Sequence, residues 1–310
     1  MDGGKAMEAN SKIRVAAVFA TMDRAHVADA CVKALQQQTR PPDWVVVADN
    51  ASGDATVEVL RGLSDLPFVL EVLALPENGG NAGGVDAAME HAFRNGMDAV
   101  WILDDDSYPR ERALEALLAE GYDARIVRHS IQIDPATGAF TWPLQVAGED
   151  GFHLVFHPAE LGARRWVTTR IMWTGALVSR KVYEQIGRVH ADLFIRGEDE
   201  EYPLRMERHG IGQMGVVDSV LDHVGPQQLR HLRWGRKHFF YEAGLSDAKL
   251  YYKVRNMVWL QKQQRGVIRA IAMALAYGMI GMSIDGFRRF PLLWEAVCDG
   301  WSGRLGRREE

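Results

Sequence analysis

Residues 99–109 read AVWILDDDSYP, where an apolar run ends abruptly in three adjacent carboxylates. Such a run is typical of a strand in a parallel sheet with both faces covered. Ligands bind at the carboxyl ends of the strands in these sheets, where Asp104, Asp105 and Asp106 stand. No basic residue separates the three like charges, so they repel unless a positive charge lies among them. The stretch therefore predicts a sheet edge that needs a positively charged partner.

The residues before this strand alternate between apolar β-rich runs and helical stretches. Strands are predicted at 13–20, 41–50 and 68–76, and helices at 25–38, 52–63 and 83–96. Strands that alternate with helices favour an α/β fold, with a Rossmann-like, mostly parallel sheet flanked by helices. Beyond about residue 112 the alternation weakens, and the chain from about Asp247 is predicted to be helical.

The composition is that of a globular protein. Of 310 residues, 47% are hydrophobic, and the formal net charge of −5 offers no general basic surface, so nucleic acid is not an expected partner. Cys31 and Cys298 are far apart, which indicates neither a disulfide framework nor a zinc cluster and suits a reducing cytoplasm. We expect residues 1–12 to be disordered, 13–228 to form the sheet domain and 229–310 to form a helical C-terminal region.

The carboxylate triplet has the composition of a hard-cation site. At the extended end of a strand, Asp104 and Asp106 project to one side and Asp105 to the other. Two carboxylates on one side suit Mn²⁺ or Mg²⁺, which fills the rest of its coordination shell from substrate phosphates. The alternative is a solvated turn or helix cap before Pro109.

Polar residues also follow the neighbouring strands. Asp49 follows three valines and an alanine, where its carboxylate can accept from a nucleobase or ribose or can instead cap the next helix. The stretch ENGGNAGGV (77–85) places Asn78, Gly79 and Gly80 just before a helix, and glycine lets backbone approach a ligand closely. It matches neither the dinucleotide-binding nor the P-loop motif.

Two stretches of the C-terminal third have compositions that allow more than one kind of contact. The apolar stretch 266–287 includes Arg269 and Asp285, so we expect a helix that packs on the protein or a second subunit, or lies at a membrane surface. The stretch RHLRWGRKHFFYEAG (230–244) mixes cations with aromatics and is read either as an acceptor or lipid contact or as a solvated helix face.

Several motifs, in this order, carry a family resemblance. VVVADNASGDAT, ENGGNAGGV, WILDDDSYP, MWTGALVSR, FIRGEDEEYPLR and DHVG resemble the inverting glycosyltransferases of family 2, which have the GT-A fold. The resemblance covers about residues 13–225, and YYKVRN with DGWSGRLG extends it toward the C-terminus. Within the family, the chain is most similar to bacterial galactofuranosyltransferases and rhamnosyltransferases of cell-wall and surface-polysaccharide synthesis.

The resemblance implies a role for each matched residue. Asp104 and Asp106 would hold the metal and donor diphosphate, and His223 in DHVG would complete the metal shell, although a lone histidine at a strand end is more often structural. The expected donor-binding residues are Asp49, Asn78, Gly79, Gly80, Asp105 and Trp173. Trp173 would form the floor below the donor sugar, although a tryptophan on a strand is equally a core residue.

The acidic segment GEDEEY (197–202) has a different implied role. An inverting transfer needs one base to take the proton of the acceptor hydroxyl, and the resemblance places Asp199 there, with Glu198 as second choice. An acid-rich, solvated helix N-terminus is the other account of these carboxylates. Glu201 and Arg205 form an i, i+4 pair.

The expected function is thus transfer of a sugar, galactofuranose from UDP-galactofuranose, to a glycan or lipid-linked acceptor. A rhamnosyltransferase that uses dTDP-rhamnose is the alternative. From other classes, a nucleotidyltransferase would carry a Gly-rich basic loop where this chain reads FATMDRAHV, and a non-catalytic glycan-binding relative would lack the acids present here. A cytoplasmic location is expected, with a peripheral position on the inner face of the membrane and a homo-oligomer both left open.

Overall fold

The computed structural model describes residues 13–308 except 120, 171, 227, 235 and 236. The segment 1–12, predicted to be disordered, lies outside the described residues. Thirteen strands are formed within the described chain: β1 Val15–Thr21, β2 Trp44–Asp49, β3 Val69–Ala74, β4 Ala99–Ile102, β5 Ser107–Pro109, β6 Ile126–Ile133, β7 Leu144–Gly148, β8 Gly151–Val155, β9 Trp166–Arg170, β10 Ala176–Ser179, β11 Gly212–His223, β12 Leu229–Trp234 and β13 Lys237–Glu242.

The helices follow the predicted alternation in the first half and dominate the C-terminal third. Those in the described chain are α1 Ala25–Gln36, α2 Thr56–Arg61, α3 Gly80–Arg94, α4 Ala113–Leu117, α5 Arg180–Ile186, α6 Glu198–Arg208, α7 Asp247–Arg265, α8 Val267–Asp285 and α9 Phe290–Ser302.

Eleven strands form one central sheet in the order β3-β2-β1-β4-β10-β6-β11-β9-β7-β8, with β5 paired to β11. The first four of these strands are mutually parallel, as are β6 and β11, and β10 runs antiparallel between β4 and β6. Parallel neighbours end at the same edge, so β1, β2 and β4 all deliver their last residues to one side of the sheet. That edge is where the sequence places its polar motifs.

Helices cover both faces of the parallel part, which is why its strands read as apolar runs. Val85, Met89 and Phe93 of α3 pack in one buried cluster with alternate residues of β1 and β4. Cys31 and Leu35 of α1 pack in a second cluster on the opposite face. Burial on both faces removes the polar alternation that a half-exposed strand would have.

Three local predictions are corrected by the structure. Asp104 to Ser107 form a turn, closed by the Ser107 amide donating to the Asp104 carbonyl (3.0 Å), instead of an extended strand end. Helix α3 begins at Gly80, so the glycine-rich motif forms its first turns and not a loop before it. The segment 230–244, for which a helix face was one interpretation, is the β12-β13 hairpin, because the aromatic residues there suit paired strands.

Candidate active site

The carboxyl edge of the parallel strands forms one wall of a cavity of about 800 Å³. The triplet 104–106 lines one side of it, and Glu198, Asp199 and Glu200 at the start of α6 line another. Residues of β13, α7 and α8 close the remaining side. One space therefore joins the predicted metal ligands to the predicted base.

The predicted metal ligands come together. Asp104, Asp106 and His223 each offer one ligand atom, and these atoms all lie within 4.8 Å of one another. The turn at 104–107 produces this arrangement, since it folds the two aspartates toward the end of β11, where His223 stands. Oxygen and imidazole ligands in one partly exposed cluster suit Mn²⁺, and the carboxylates suit Mg²⁺. The chemistry of the donor set therefore fits the expected cation.

Hydroxyl groups orient two of these ligands. The Thr174 hydroxyl donates to Asp104 Oδ2 (2.6 Å), and the Ser107 hydroxyl lies 2.8 Å from His223 Nδ1. Burial raises the pKa of Asp104 above its ordinary value, and the neighbouring His223 opposes this rise. Hydrogen bonds of this kind fix the orientation of metal ligands and tune their affinity.

The positive charge expected among the triplet is supplied in part by Arg24. Its guanidinium bridges two of the carboxylates, with Nη1 2.7 Å from Asp105 Oδ1 and Nη2 3.0 Å from Asp106 Oδ2. Asp105 also accepts from the Thr21 hydroxyl (2.8 Å) and, being buried, has its pKa raised to about 6. The partner of Asp105 is therefore an arginine that stands just before α1, and Asp106 shares it.

The predicted donor-binding residues divide into those that line the cavity and those behind it. Asn78, Gly80, Asp105 and Trp173 line it. Asp49 and Gly79 are not in the lining. The neighbour of Asp49, Asn50, takes that place: its side chain accepts from the Gly79 amide (3.1 Å) and donates to the Gly80 carbonyl (3.2 Å).

Two buried polar atoms near this wall have no hydrogen-bond partner among the described residues. One is Oδ1 of Asp49; the second oxygen of this carboxylate, Oδ2, accepts from the Ser52 amide (3.1 Å). The second is the indole nitrogen of Trp173, a residue 5% exposed whose ring packs edge-on against Tyr202. Buried polar groups are rarely left unpaired, so the Trp173 nitrogen in the lining fits a polar ligand in the cavity, whereas the Asp49 oxygen lies behind the lining. Trp173 thus serves the core and the cavity at once.

The acidic segment begins α6 and presents its carboxylates differently. Asp199 is exposed to the cavity and accepts from the Gly197 amide (2.9 Å), whereas Glu198 is buried. The predicted Glu201–Arg205 pair is confirmed, with 2.7 Å between Oε2 and Nη2. Adjacent acids on one helix turn thus have different surroundings.

The loop before α6 is held by the C-terminal helices. Asn256 of α7 donates its side-chain amide to the carbonyls of Leu193 (2.8 Å) and Ile195 (3.1 Å). Phe194 and Arg196 adopt positive φ of 66° and 65°. Backbone strain of this kind persists only where the surroundings enforce it, so α7 fixes the position of Asp199.

Glu198 is held in its neutral form. One of its oxygens accepts from Asn81 Nδ2 (2.9 Å), and Oε2 has no partner within the described chain. Burial, followed by repulsion from Asp199, raises the pKa of Glu198 to about 8. A carboxyl group that keeps its proton at neutral pH cannot accept another, so the geometry favours Asp199 as the base.

This raised pKa predicts a pH-dependent stability. The folded protein keeps a proton on Glu198 that the unfolded chain releases above about pH 4, so this group lowers the free energy of unfolding as the pH rises toward 8. Glu198→Gln replaces this group by a neutral isostere, so its free energy of unfolding should not fall in this way. At pH 8 that free energy should exceed the wild-type value by on the order of a few kcal/mol. Urea denaturation from pH 5 to 9 measures the difference, with exposed Glu184→Gln as control. Parallel pH profiles for wild type and Glu198→Gln would contradict the assignment.

Sequence reasoning included Asn81 and Thr174 only as members of their motifs, and it missed Arg24 and Asn50. Each follows a strand or begins a helix at the carboxyl edge of the sheet, so position alone could have drawn attention to them. Nothing in the sequence indicates their partners, which lie between 29 and 117 positions away along the chain.

Comparison with known proteins agrees with this geometry. The sequence profile described as glycosyl transferase family 2 matches residues 17–187, more than half of the chain. The chain belongs to glycosyl transferase family 2. Two curated family relatives are galactofuranosyltransferase GlfT1 of Mycobacterium tuberculosis, 30% identical over 96% of both chains, and dTDP-rhamnosyl transferase RfbF of Shigella flexneri, 22% identical over 71% of each.

Solved structures share the fold. The S. aureus TarS 1-349 structure superposes with a TM-score of 0.57 at 13% identity, over 94% of this chain and 82% of that one. Mannosyltransferase PcManGT from Pyrobaculum calidifontis, solved with GDP-Man and Mn²⁺, superposes with a TM-score of 0.51 at 18% identity, over 93% of this chain and 75% of that one. The predicted GT-A fold is confirmed, and this member of family 2 is a glycosyltransferase. The family assignment sets aside the nucleotidyltransferase and non-catalytic alternatives.

Proposed function

We propose that this glycosyltransferase moves galactofuranose from UDP-galactofuranose to a glycan or lipid-linked acceptor of the bacterial cell wall or surface, with inversion at the anomeric carbon. The observation that carries the proposal is the single cavity that joins the Asp104, Asp106 and His223 group to Asp199. The choice of donor is supported by the similarity to galactofuranosyltransferase GlfT1 along nearly the whole chain.

The donor would lie along the carboxyl edge of the sheet. Asp49, which lies behind the cavity lining with one unpartnered oxygen, would accept from the nucleobase or ribose, and Asn78 and Gly80, with Gly79 behind them, would form the adjoining wall. Asp105 would approach the ribose or sugar, and Trp173 would offer its unpaired indole N–H to the donor from below. The roles of Asp49 and Trp173 each use a polar atom that has no partner among the described residues.

Asp104, Asp106 and His223 would hold Mn²⁺ or Mg²⁺ with two donor phosphate oxygens. A divalent cation there offsets the negative charge that develops on a departing diphosphate. Arg24, already bound to Asp105 and Asp106, keeps these carboxylates together and adds a second positive charge on the same side.

Asp199 would act at the opposite side of the sugar. The acceptor hydroxyl oxygen forms a bond to the anomeric carbon while the bond from that carbon to the diphosphate oxygen breaks, and Asp199 takes the hydroxyl proton. Glu198 stays protonated beside it and contributes its bond to Asn81. Neutral Glu198 also keeps a further negative charge away from the base.

The acceptor would enter between the sheet and the C-terminal region. Trp142 and Phe240 line this end of the cavity and offer aromatic faces for a sugar ring, and Lys253, 6.0 Å from the Trp142 ring centre, forms an ion pair with Glu242 beside them. We assign residues 13–228 to the glycosyltransferase domain. Residues 229–310 would form a C-terminal region that contacts the acceptor, the cytoplasmic face of the membrane and other subunits.

Calorimetric titration of UDP and of dTDP, each with Mn²⁺ and again with a chelator, tests the donor. We expect metal-dependent binding with UDP preferred, because the proposed donor carries UDP. A preference for dTDP would favour the second candidate, rhamnosyl transfer, which the similarity to RfbF supports. Absence of binding for both nucleotides under every condition would contradict the proposed site.

A further inference from the structure

Helix α8 carries an apolar face that no part of the described chain covers. Ile268, Ile271, Leu275 and Met279 are 84%, 46%, 57% and 62% exposed. Their spacing of three and four residues places them on one side of the helix, along about three turns. Phe287 and Trp294, which follow in the chain, are 79% and 62% exposed. A contiguous apolar surface of this size on a folded protein indicates an interaction site.

The opposite side of α8 is bound to the protein. Ala270, Tyr277 and Gly281 are buried, and Tyr277 reaches the cavity, with its ring 5.4 Å from that of Phe239. By length and composition α8 could cross a membrane. It packs along α7, however, where Tyr277 shares a buried cluster with Leu250 and Val254. A helix bound along one side to the folded protein suits a position along a membrane surface and not across it.

The region around this face has a net positive charge. Residues 247–310 contain eleven lysines and arginines and six aspartates and glutamates, a formal charge of +5 in a chain of −5. In the described part from 247 to 308, every acidic side chain forms a salt bridge: Asp247, Asp285, Glu295 and Asp299. Arg265, Arg269 and Arg288 are exposed and form no salt bridge with any described residue. Arginines thus stand at both ends of the apolar stripe.

We propose that the exposed face of α8 docks on the surface of a bilayer that contains anionic phospholipid. Apolar side chains would enter the boundary between headgroups and acyl chains, and Arg265, Arg269 and Arg288 would bind lipid phosphates. A second copy of the chain is a poorer occupant, because a two-fold contact would place two surfaces of the same positive charge against each other.

Docking in this way fixes the orientation of the active site. Tyr277 lines the cavity from the side of α8 opposite the apolar face, so the acceptor end would lie about one helix diameter, 10 Å, from the bilayer. A lipid-anchored acceptor could reach it without leaving the membrane. The inference itself depends on neither the donor nor the acceptor, since it rests on α8 and its flanks.

Vesicle sedimentation with the purified full chain tests the inference. We expect binding to phosphatidylcholine vesicles that contain phosphatidylglycerol, weaker binding to phosphatidylcholine alone, and release by salt. Ile271→Ser with Leu275→Ser should weaken the partition about tenfold, and Arg269→Gln about fivefold. Val69→Ser, a substitution of a valine 63% exposed on the far edge strand, is the matched control and should bind like wild type.

Four outcomes would overturn the inference. Three of them are failure to bind either vesicle, equal binding by wild type and the α8 variants, and membrane association that resists both salt and alkaline carbonate, as a spanning helix would. A dimeric mass in solution that is lost in the Ile271→Ser, Leu275→Ser variant would assign the face to a second copy instead. UDP binding should be unchanged in all variants, which separates this test from that of the proposed function.

Discussion

Asp199→Asn should lower the rate of sugar transfer by about 10³-fold, the loss typical when a general base is removed. Asparagine keeps the size of the side chain and can still accept from the Gly197 amide, but it cannot take the acceptor proton. Donor binding should be unchanged, because Asp199 lies across the cavity from the donor edge. Transfer is measured with labelled donor, and UDP affinity by calorimetry.

Two variants control for the general effect of removing an acid. Asp192→Asn changes an exposed aspartate in the same loop whose side chain makes no hydrogen bond within the described chain. Glu198→Gln keeps the neutral state that the wild type has at neutral pH. Both should retain transfer. If Asp199→Asn stayed active while Glu198→Gln lost activity, the base would be Glu198 and the assignment of Asp199 would be wrong.

Replacing Asp104 or Asp106 by alanine should abolish metal-dependent nucleotide binding, with affinity for UDP in Mn²⁺ lowered at least about 100-fold. Each substitution removes one of the two carboxylates, and the remaining ligands cannot offset the repulsion between protein carboxylates and diphosphate. The titration is repeated with a chelator, where wild type and variants should agree.

Asp222→Asn is the matched control for these variants. Asp222 precedes His223 on β11, but its carboxylate pairs with Arg110 at 2.8 Å and takes no part in the metal group. This variant should bind UDP in Mn²⁺ as the wild type does. Unchanged affinity in Asp104→Ala and Asp106→Ala would mean that Arg24 alone neutralises the triplet and that no cation is held there.

The strands of the central sheet differ in how well they can be predicted from the sequence. The apolar runs of β1, β2 and β4 were readable because both faces are covered by helices. Strand β6 was missed because Arg128, His129 and Ser130 interrupt its pattern although all three are buried. Ser130 contacts the Ser219 hydroxyl at 2.7 Å, and His129 contacts Thr169. Such partners come from distant strands, so local periodicity cannot report them.

The α/β class and the residues at the carboxyl edge of the sheet could both be predicted from the order of residues. Hydrophobic periodicity is a local property that the order of residues records directly. Parallel strands must end on the same side of their sheet, so the pattern of strands was enough to place Asp49, Asn78 and the triplet near one another.

The burial, ion pairing and protonation of each side chain at that edge depend on tertiary contacts. Arg24 lies 81 positions before its partner Asp105, and only the packing of α1 against the sheet brings them together. Likewise Glu198 and Asp199 are neighbours in sequence, yet one is buried and protonated and the other is exposed to the cavity. Burial, ion pairing and pKa depend on atoms contributed by distant parts of the chain, so the local sequence around two acids does not determine these properties.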